Sequence, residues 1–350
     1  MFVIAIILFI VALALCFIEE QISAPTKIVI LAIMTLVMIC TATFKNINTT
    51  ADAENYVNYF YNNSDPLIEL MTEPTFIYLS RFLISIGAGI QILFLIYACI
   101  TIPTKCVILY KLTEYIFTAM LIYIPVYFLL HDVVQIRTGA AAAFLLSSLY
   151  LSCKGKHLLS VVAFIAGILF HYSSLAFLPV LLFGNRRLNL TVRILLFMTV
   201  PLGLILYIAN YDILNLIPSS VIVGKIDFYK DAAETGDKWS DFIVPYKNMY
   251  LLSKCALLFL CLIFYETILK HNRFASICIL MLAFSIFINL SMTTIPVLAG
   301  RLGDLYGISD AISFTLCLHF IKPRWAVRSG IALIGMYMMA FNYFNGGFIV

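Results

Sequence analysis

Asp52, Glu73, Arg81, Asp132, Arg137, His171, Arg301 and Asp304 are ionisable side chains set in or beside long apolar runs. Charge inside a bilayer is costly, so each is a candidate for function. Arg137 stands in Gln135-Ile136-Arg137-Thr138-Gly139, ahead of the small run Ala140–Ala143. A helix face of small residues permits close packing, which would aim the arginine into a crowded interior. Arg301 follows Thr293-Thr294-Ile295-Pro296-Val297-Leu298-Ala299-Gly300, where one helix is expected to stop and the next to begin. The guanidinium fork donates paired hydrogen bonds to phosphate and stays charged, so two converging arginines could hold a pyrophosphate. The plainer alternatives are a snorkelling Arg137 at a helix end and an Arg301–Asp304 pair along one helix.

His171 is the only histidine at a break within an otherwise apolar stretch. A neutral imidazole there could take a proton from a sugar hydroxyl, or it could simply pack. Glu73 and Asp52 are the acidic candidates, and each precedes helical sequence, so capping is the competing role. Glu73 is the alternative base to His171. The other histidines, at 131, 157, 271 and 319, fall at span ends and read as interfacial. No H-E-x-x-H and no carboxylate cluster with metal spacing occurs, so no metal site is expected.

The elements that must position these residues are set by composition. Of 350 residues, 63% are hydrophobic and 11% charged, with mean hydropathy +1.02. So few charges could not cover a soluble globule, which excludes a soluble enzyme, a disulfide scaffold and a disordered chain. The apolar runs are nearly continuous and do not alternate, so the spans are helices and the fold class is all-α. A net charge of +4 without a basic tract gives no sign of nucleic-acid binding. The nine cysteines lie in or at the ends of spans without a C-x-x-C and read as packing residues.

Spans are expected near 2–18, 28–44, 88–104, 114–131, 135–152, 191–209, 247–269, 273–295, 301–321 and 326–345, the first of them retained and not cleaved. Residues 158–183 exceed one span and break at His171. Treating them as two short helices puts Lys154, Lys156, Arg186, Arg187 and Arg193 on one side with Lys27, Lys105, Lys111, Lys270, Arg273, Lys322, Arg324 and Arg328. That side is then inner by the Lys/Arg bias. The result is a single transmembrane domain over 1–350, with about twelve membrane-crossing segments and both termini outside. Two outer segments stand out. Residues 45–87 carry amphipathic or interfacial helices, with aromatics at 56, 59 and 60 on one helical face. Residues 210–246 form a loop too long to be a connector.

At these residues the sequence resembles the Wzy-type polysaccharide polymerases, specifically the EpsG family. The resemblance lies in the order of elements over about residues 50–306. Asp52 precedes Tyr56 and Tyr59; then come Glu73-Pro74-x-Phe76 and Gln135-Ile136-Arg137 running into an alanine-rich helix. Phe170-His171-x-Ser173-x-Leu175 follows, and last Arg301 ahead of Tyr306. In place of the Arg-x-x-Gly-x-Asp-like opening common in that family, this chain has Lys45–Asp52. The resemblance implies a metal-independent, cofactor-free membrane glycosyltransferase with a GT-C-like architecture. It would join oligosaccharide repeat units carried on undecaprenyl pyrophosphate, both donor and acceptor, at the periplasmic face of a bacterial inner membrane. A chain-length regulator is an expected partner. Arg137 and Arg301 would hold pyrophosphate, His171, Glu73 and Asp52 would be catalytic, and Tyr56, Tyr59, Gln135, Ser173 and Tyr306 would contact sugar or acceptor. A flippase would place its charges near the midplane between repeated halves, and no repeat is visible. A membrane acyltransferase acting on the same polysaccharides is the third class.

Overall fold

The computed structural model describes residues 1–213, 248–292 and 296–344, and all regular structure in them is helical. The expected outer loop over 210–246 therefore lies almost wholly outside the described residues. The chain divides by packing into two compact units, Met1–Gly184 with Ile321–Val350, and Asn185–Phe320.

The first unit begins with α1 (Phe2–Cys16) and α2 (Ala24–Thr43). Three short helices follow, α3 (Ala53–Tyr61), α4 (Pro66–Met71) and α5 (Pro74–Ser85), in the segment expected to carry amphipathic helices. On α3, Tyr56 and Phe60 are buried while Glu54 and Asn55 face out, as the spacing requires. The unit continues with α6 (Ile90–Leu112), α7 (Ile116–Ile122), a π-helix (Tyr123–Val134), α8 (Ile136–Cys153), α9 (His157–Phe170), a 3-10 turn (Tyr172–Phe177) and α10 (Leu178–Phe183). It closes with the last helix of the chain, Arg324–Phe344. The second unit holds α11 (Leu190–Ile208), α12 (Met249–Ile263), α13 (Tyr265–His271), α14 (Ala275–Ser291), α15 (Pro296–Gly307) and α16 (Asp310–Thr315). The final helix, Arg324–Phe344, is α17.

Among the described residues five helices are long and apolar enough to cross a membrane, α2, α6, α7 with the π-helix, α8 and α11. The pair α12–α13, bent by 83°, makes a sixth if counted as one span. Four shorter apolar helices accompany them: α1, α9, Tyr172–Phe183 and α14.

Close helix contact in the first unit rests on small residues. A side chain at Gly335 of α17 would meet the Leu121 carbonyl oxygen at 2.3 Å and the Phe9 ring at 2.7 Å. Ser148 of α8 and Ser160 of α9 each donate to the other's carbonyl, at 2.7 and 2.8 Å. This reciprocal pair fixes the register of the two helices that present Arg137 and His171.

Three expectations about the elements need correction. The span expected at 88–104 continues to Leu112, because Pro103 sits inside α6 without ending it. Lys105 thus lies within α6, fully buried and 2.8 Å from Asp132. Lys105, grouped with the inner cations, therefore shares its depth with Asp132. The span expected at 114–131 changes winding half-way, from α7 to the π-helix. The span expected at 301–321 is α15, α16 and a 3-10 turn, Leu316–His319, and α15 starts five positions before Arg301.

Within each unit further buried and surface charges pair locally. Glu19 accepts from the Phe117 and Thr118 backbone N–H groups and from the Thr118 hydroxyl, and lies 3.5 Å from Arg328. Glu20 takes Arg324 and Arg328 at 2.9 and 2.6 Å. In the second unit Glu266 takes Arg187 at 2.6 Å and Arg193 at 3.7 Å. All these residues were assigned to the inner side.

Candidate functional site

Glu73 sits at the N-terminal boundary of α5, where Pro74 supplies the first helical position and has no N–H to satisfy. Its side chain makes no capping hydrogen bond. Instead Oε1 lies 2.6 Å from His171 Nδ1 and Oε2 lies 2.5 Å from an Arg137 terminal nitrogen. One carboxylate joins residues from α5, α8 and the end of α9, so the capping alternative for Glu73 is set aside.

His171 ends α9 with an extended backbone, φ −160° and ψ 118°. Its N–H donates to the Gly167 carbonyl, and its own carbonyl accepts from Ser174. The Ser174 hydroxyl returns to the same Gly167 oxygen at 3.0 Å, locking the break. Phe170 stacks on Phe144 and meets Tyr97 edge-on, while the Thr75 hydroxyl donates to the Leu169 carbonyl at 2.8 Å. These contacts tie the helix end to α5 and aim the imidazole at Glu73. The other ring nitrogen, Nε2, is buried with no hydrogen-bond partner among the described residues.

Arg137 occupies the first turn of α8, directly after the π-helix. Gly139 is required there, since a Cβ would lie 2.2 Å from the His131 carbonyl oxygen. The guanidinium carbon lies 5.7, 5.8 and 5.9 Å from the ring centres of Tyr56, Tyr59 and Phe76. Its side chain is 17% exposed, against 4% for Glu73 and 11% for His171. The arginine is therefore held by aromatic faces and a carboxylate yet still reaches solvent. A snorkelling residue has no such cage.

Burial by itself raises the Glu73 carboxyl, but the hydrogen bond from His171 and the Arg137 charge outweigh it and hold the group down at about 2. Where the imidazole donates Nδ1–H to an anionic Glu73 and carries no second proton, its lone pair lies on Nε2. The trio can take a proton at Nε2 and offer a guanidinium to an anion.

Among the other expected site residues, Tyr56 is buried against Arg137 and Tyr59 is half-buried beside it. Gln135 bridges the π-helix and α8, and its side-chain Oε1 is buried without a partner among the described residues. Ser173 is half-buried, two positions after His171. Asp52 precedes α3 with a left-handed backbone, φ 61°, and does not cap it. Arg81 is spent on Glu69 and the Asn63 carbonyl.

Arg301 and Tyr306 belong to the second unit. Both lie on α15, which is fastened by Ser285 donating to the Gly303 carbonyl at 2.7 Å. Ser285 in turn accepts from Lys254, itself 2.8 Å from Asp310. Tyr306 is buried and stacks on Phe284.

Sequence reasoning missed four buried groups of the first unit. Lys105 and Tyr123 each contact Asp132 at 2.8 Å. His131, expected at an interface, is fully buried against Tyr127 with both ring nitrogens unpartnered among the described residues. Lys45, named in the sequence only as the start of the Lys45–Asp52 segment, donates to the Val133 carbonyl at 2.6 Å. A lysine just after a span was the only available signal for the last of these.

A sequence profile of the EpsG family matches residues 28–348, nearly the whole chain. The chain belongs to the EpsG family. EpsG is a Wzy-like polysaccharide polymerase family, so membership implies a membrane glycosyltransferase of the polymerase kind. Comparison with curated proteins and with solved structures finds no match. Within an EpsG chain, Glu73, Arg137 and His171 stand on elements far apart in sequence and meet at hydrogen-bond distance.

Proposed function

We propose that this EpsG protein polymerises undecaprenyl-pyrophosphate-linked oligosaccharide repeat units into a surface polysaccharide, at the outer face of a bacterial inner membrane. The observation that carries the reading is the Glu73–His171 pair with Nε2 left open beside the caged Arg137. A hydroxyl of the acceptor unit donates to His171 Nε2. As its oxygen bonds to the donor's anomeric carbon, the proton passes to Nε2. The bond from that carbon to the diphosphate breaks, and its electron pair leaves with the lipid diphosphate. Arg137 offsets the charge that develops on the leaving group, an interaction that strengthens in the transition state. Glu73 holds the tautomer and stabilises the imidazolium, as the carboxylate does in other carboxylate–histidine pairs.

Sugar contact in this reading belongs to Tyr59, Gln135 and Ser173, which are half-buried, whereas Tyr56 is buried at 4% exposure. Asp52 keeps its expected catalytic place beside α3. Arg301 and Tyr306, on α15 of the second unit, keep their expected roles towards pyrophosphate and acceptor. The shorter apolar helices α1, α9, Tyr172–Phe183 and α14 cross or enter the bilayer with the longer ones, towards the twelve crossings of a GT-C-like architecture. Between α1 and α17 an apolar groove of about 410 Å³, lined by Phe9, Leu13, Met336, Met339 and Tyr343 among others, offers a place for the carrier's hydrocarbon. A chain-length regulator would act on the growing product.

Cells carrying His171→Ala at wild-type protein level test this directly. They should accumulate lipid carriers bearing single repeat units and make no chains. Normal chains from that variant would overturn the reading.

A further inference from the structure

Lys45 lies just beyond α2 and is only 6% exposed. Among the described residues its ammonium forms no ion pair and has one hydrogen-bond acceptor, the Val133 carbonyl at 2.6 Å. The nitrogen lies 4.0 Å from the Phe94 ring centre and 5.8 Å from that of Tyr56. Arg137 lies 5.7 Å from the same Tyr56 centre. Two cations share one tyrosine.

A buried ammonium without a carboxylate partner costs stability. Asp132 does not offset this directly, since its two oxygens serve Lys105 and Tyr123. The charge balance of the neighbouring trio suggests what does. Glu73 cancels Arg137, so before any proton reaches the imidazole the three together offer a bound diphosphate no net positive charge. Lys45 supplies the missing unit.

We propose that Lys45 is the second cation of the diphosphate end of this site, acting across the Tyr56 ring and latching, through Val133, the π-helix end that leads into Arg137. It is a positioning and electrostatic residue, not one that touches the reacting atoms. The inference rests on the polymerase reading above. A unit charge about one ring away, at an effective dielectric near 20, changes affinity for a multiply charged anion roughly tenfold.

Burial lowers the Lys45 ammonium to about 7, against the pull of Asp52 and Asp132. The groups facing it are Asp52 ahead of α3, Tyr56 on α3, Asp132 on the π-helix and Arg137 on α8, with Phe94 of α6 uncharged. The field that Lys45 exerts is therefore strongest below that pH.

The test uses the full chain in lipid vesicles, titrated with inorganic pyrophosphate and separately with undecaprenyl pyrophosphate, on either side of pH 7. Wild type should bind both probes roughly tenfold more tightly than Lys45→Met below that pH, with the gap narrowing above it. Lys45→Arg should keep the affinity at both pH values, because the guanidinium does not titrate there. Affinity is read on Lys45→Met chains that are folded at the titration temperature, since the variant loses the Val133 hydrogen bond along with the buried charge. Equal affinity in wild type and Lys45→Met overturns the proposal and leaves the polymerase reading standing. So does a Lys45→Met chain that unfolds early and is not rescued by arginine. Wild type binding neither probe overturns the diphosphate site itself.

Discussion

Glu73 Oε1 and His171 Nδ1 lie 2.6 Å apart, although 98 positions separate the two residues in the chain. The same carboxylate bonds Arg137 through its second oxygen. A cation and a base are thus set by one anion, and disturbing that anion disturbs both.

Glu73 makes acid stability a readout of the site. The folded chain ionises it near 2 and the unfolded chain near its ordinary 4.5. A carboxyl depressed on folding stabilises the protein fully above the unfolded value, and the stabilisation drains as pH falls towards the folded value. The contribution is about 3 kcal/mol. The unfolding midpoint of the wild type should therefore drop between pH 4.5 and 2. Glu73→Gln should lack that component, and equal acid sensitivity in the two chains would remove the ion pair from the account.

Arg137 is held in a geometry that depends on its planar fork and on three aromatic faces. Lysine keeps the charge but loses the fork. Both Arg137→Ala and Arg137→Lys should lower the polymerisation rate by roughly 100-fold or more, at equal protein level. Polymer length distributions read this out, and a lysine variant that restores wild-type chains would mean only charge matters there.

The buried Lys105–Asp132 pair should show strong coupling. Removing one partner strands the other and costs about 3–5 kcal/mol. Replacing both with Met and Leu should cost less than either single change, because no uncompensated charge remains. A double-mutant cycle on thermal unfolding of the purified chain measures this. Additive losses would show that the two do not act as a pair.

How much of this was legible in sequence varies by residue. The apolar runs place most helices to within a few positions, because span length and hydropathy are local properties. His171 could be singled out because a polar break interrupts an apolar stretch. That Glu73 joins His171 to Arg137 could not be read, since each short motif is consistent with an ordinary local role. Glu73-Pro74 reads as a helix start and is one, but the carboxylate is spent elsewhere. Lys105 was misplaced because Thr-Ile-Pro before it looks like a break, whereas α6 runs through Pro103. The π-helix has the same apolar composition as an α-helix and leaves no mark in hydropathy. Lys45 and His131 owe their significance to burial, which composition does not report.

The central claim is that the Glu73–His171 pair removes the acceptor proton during chain growth. The most direct measurement is polymerisation by the purified chain in lipid vesicles, supplied with undecaprenyl-pyrophosphate-linked repeat units and read as product length. Wild type should build chains, while His171→Gln, folded and still binding pyrophosphate, should leave single units on the carrier, and Glu73→Gln should do so with weakened pyrophosphate binding as well. Wild-type chain lengths from His171→Gln would contradict the claim.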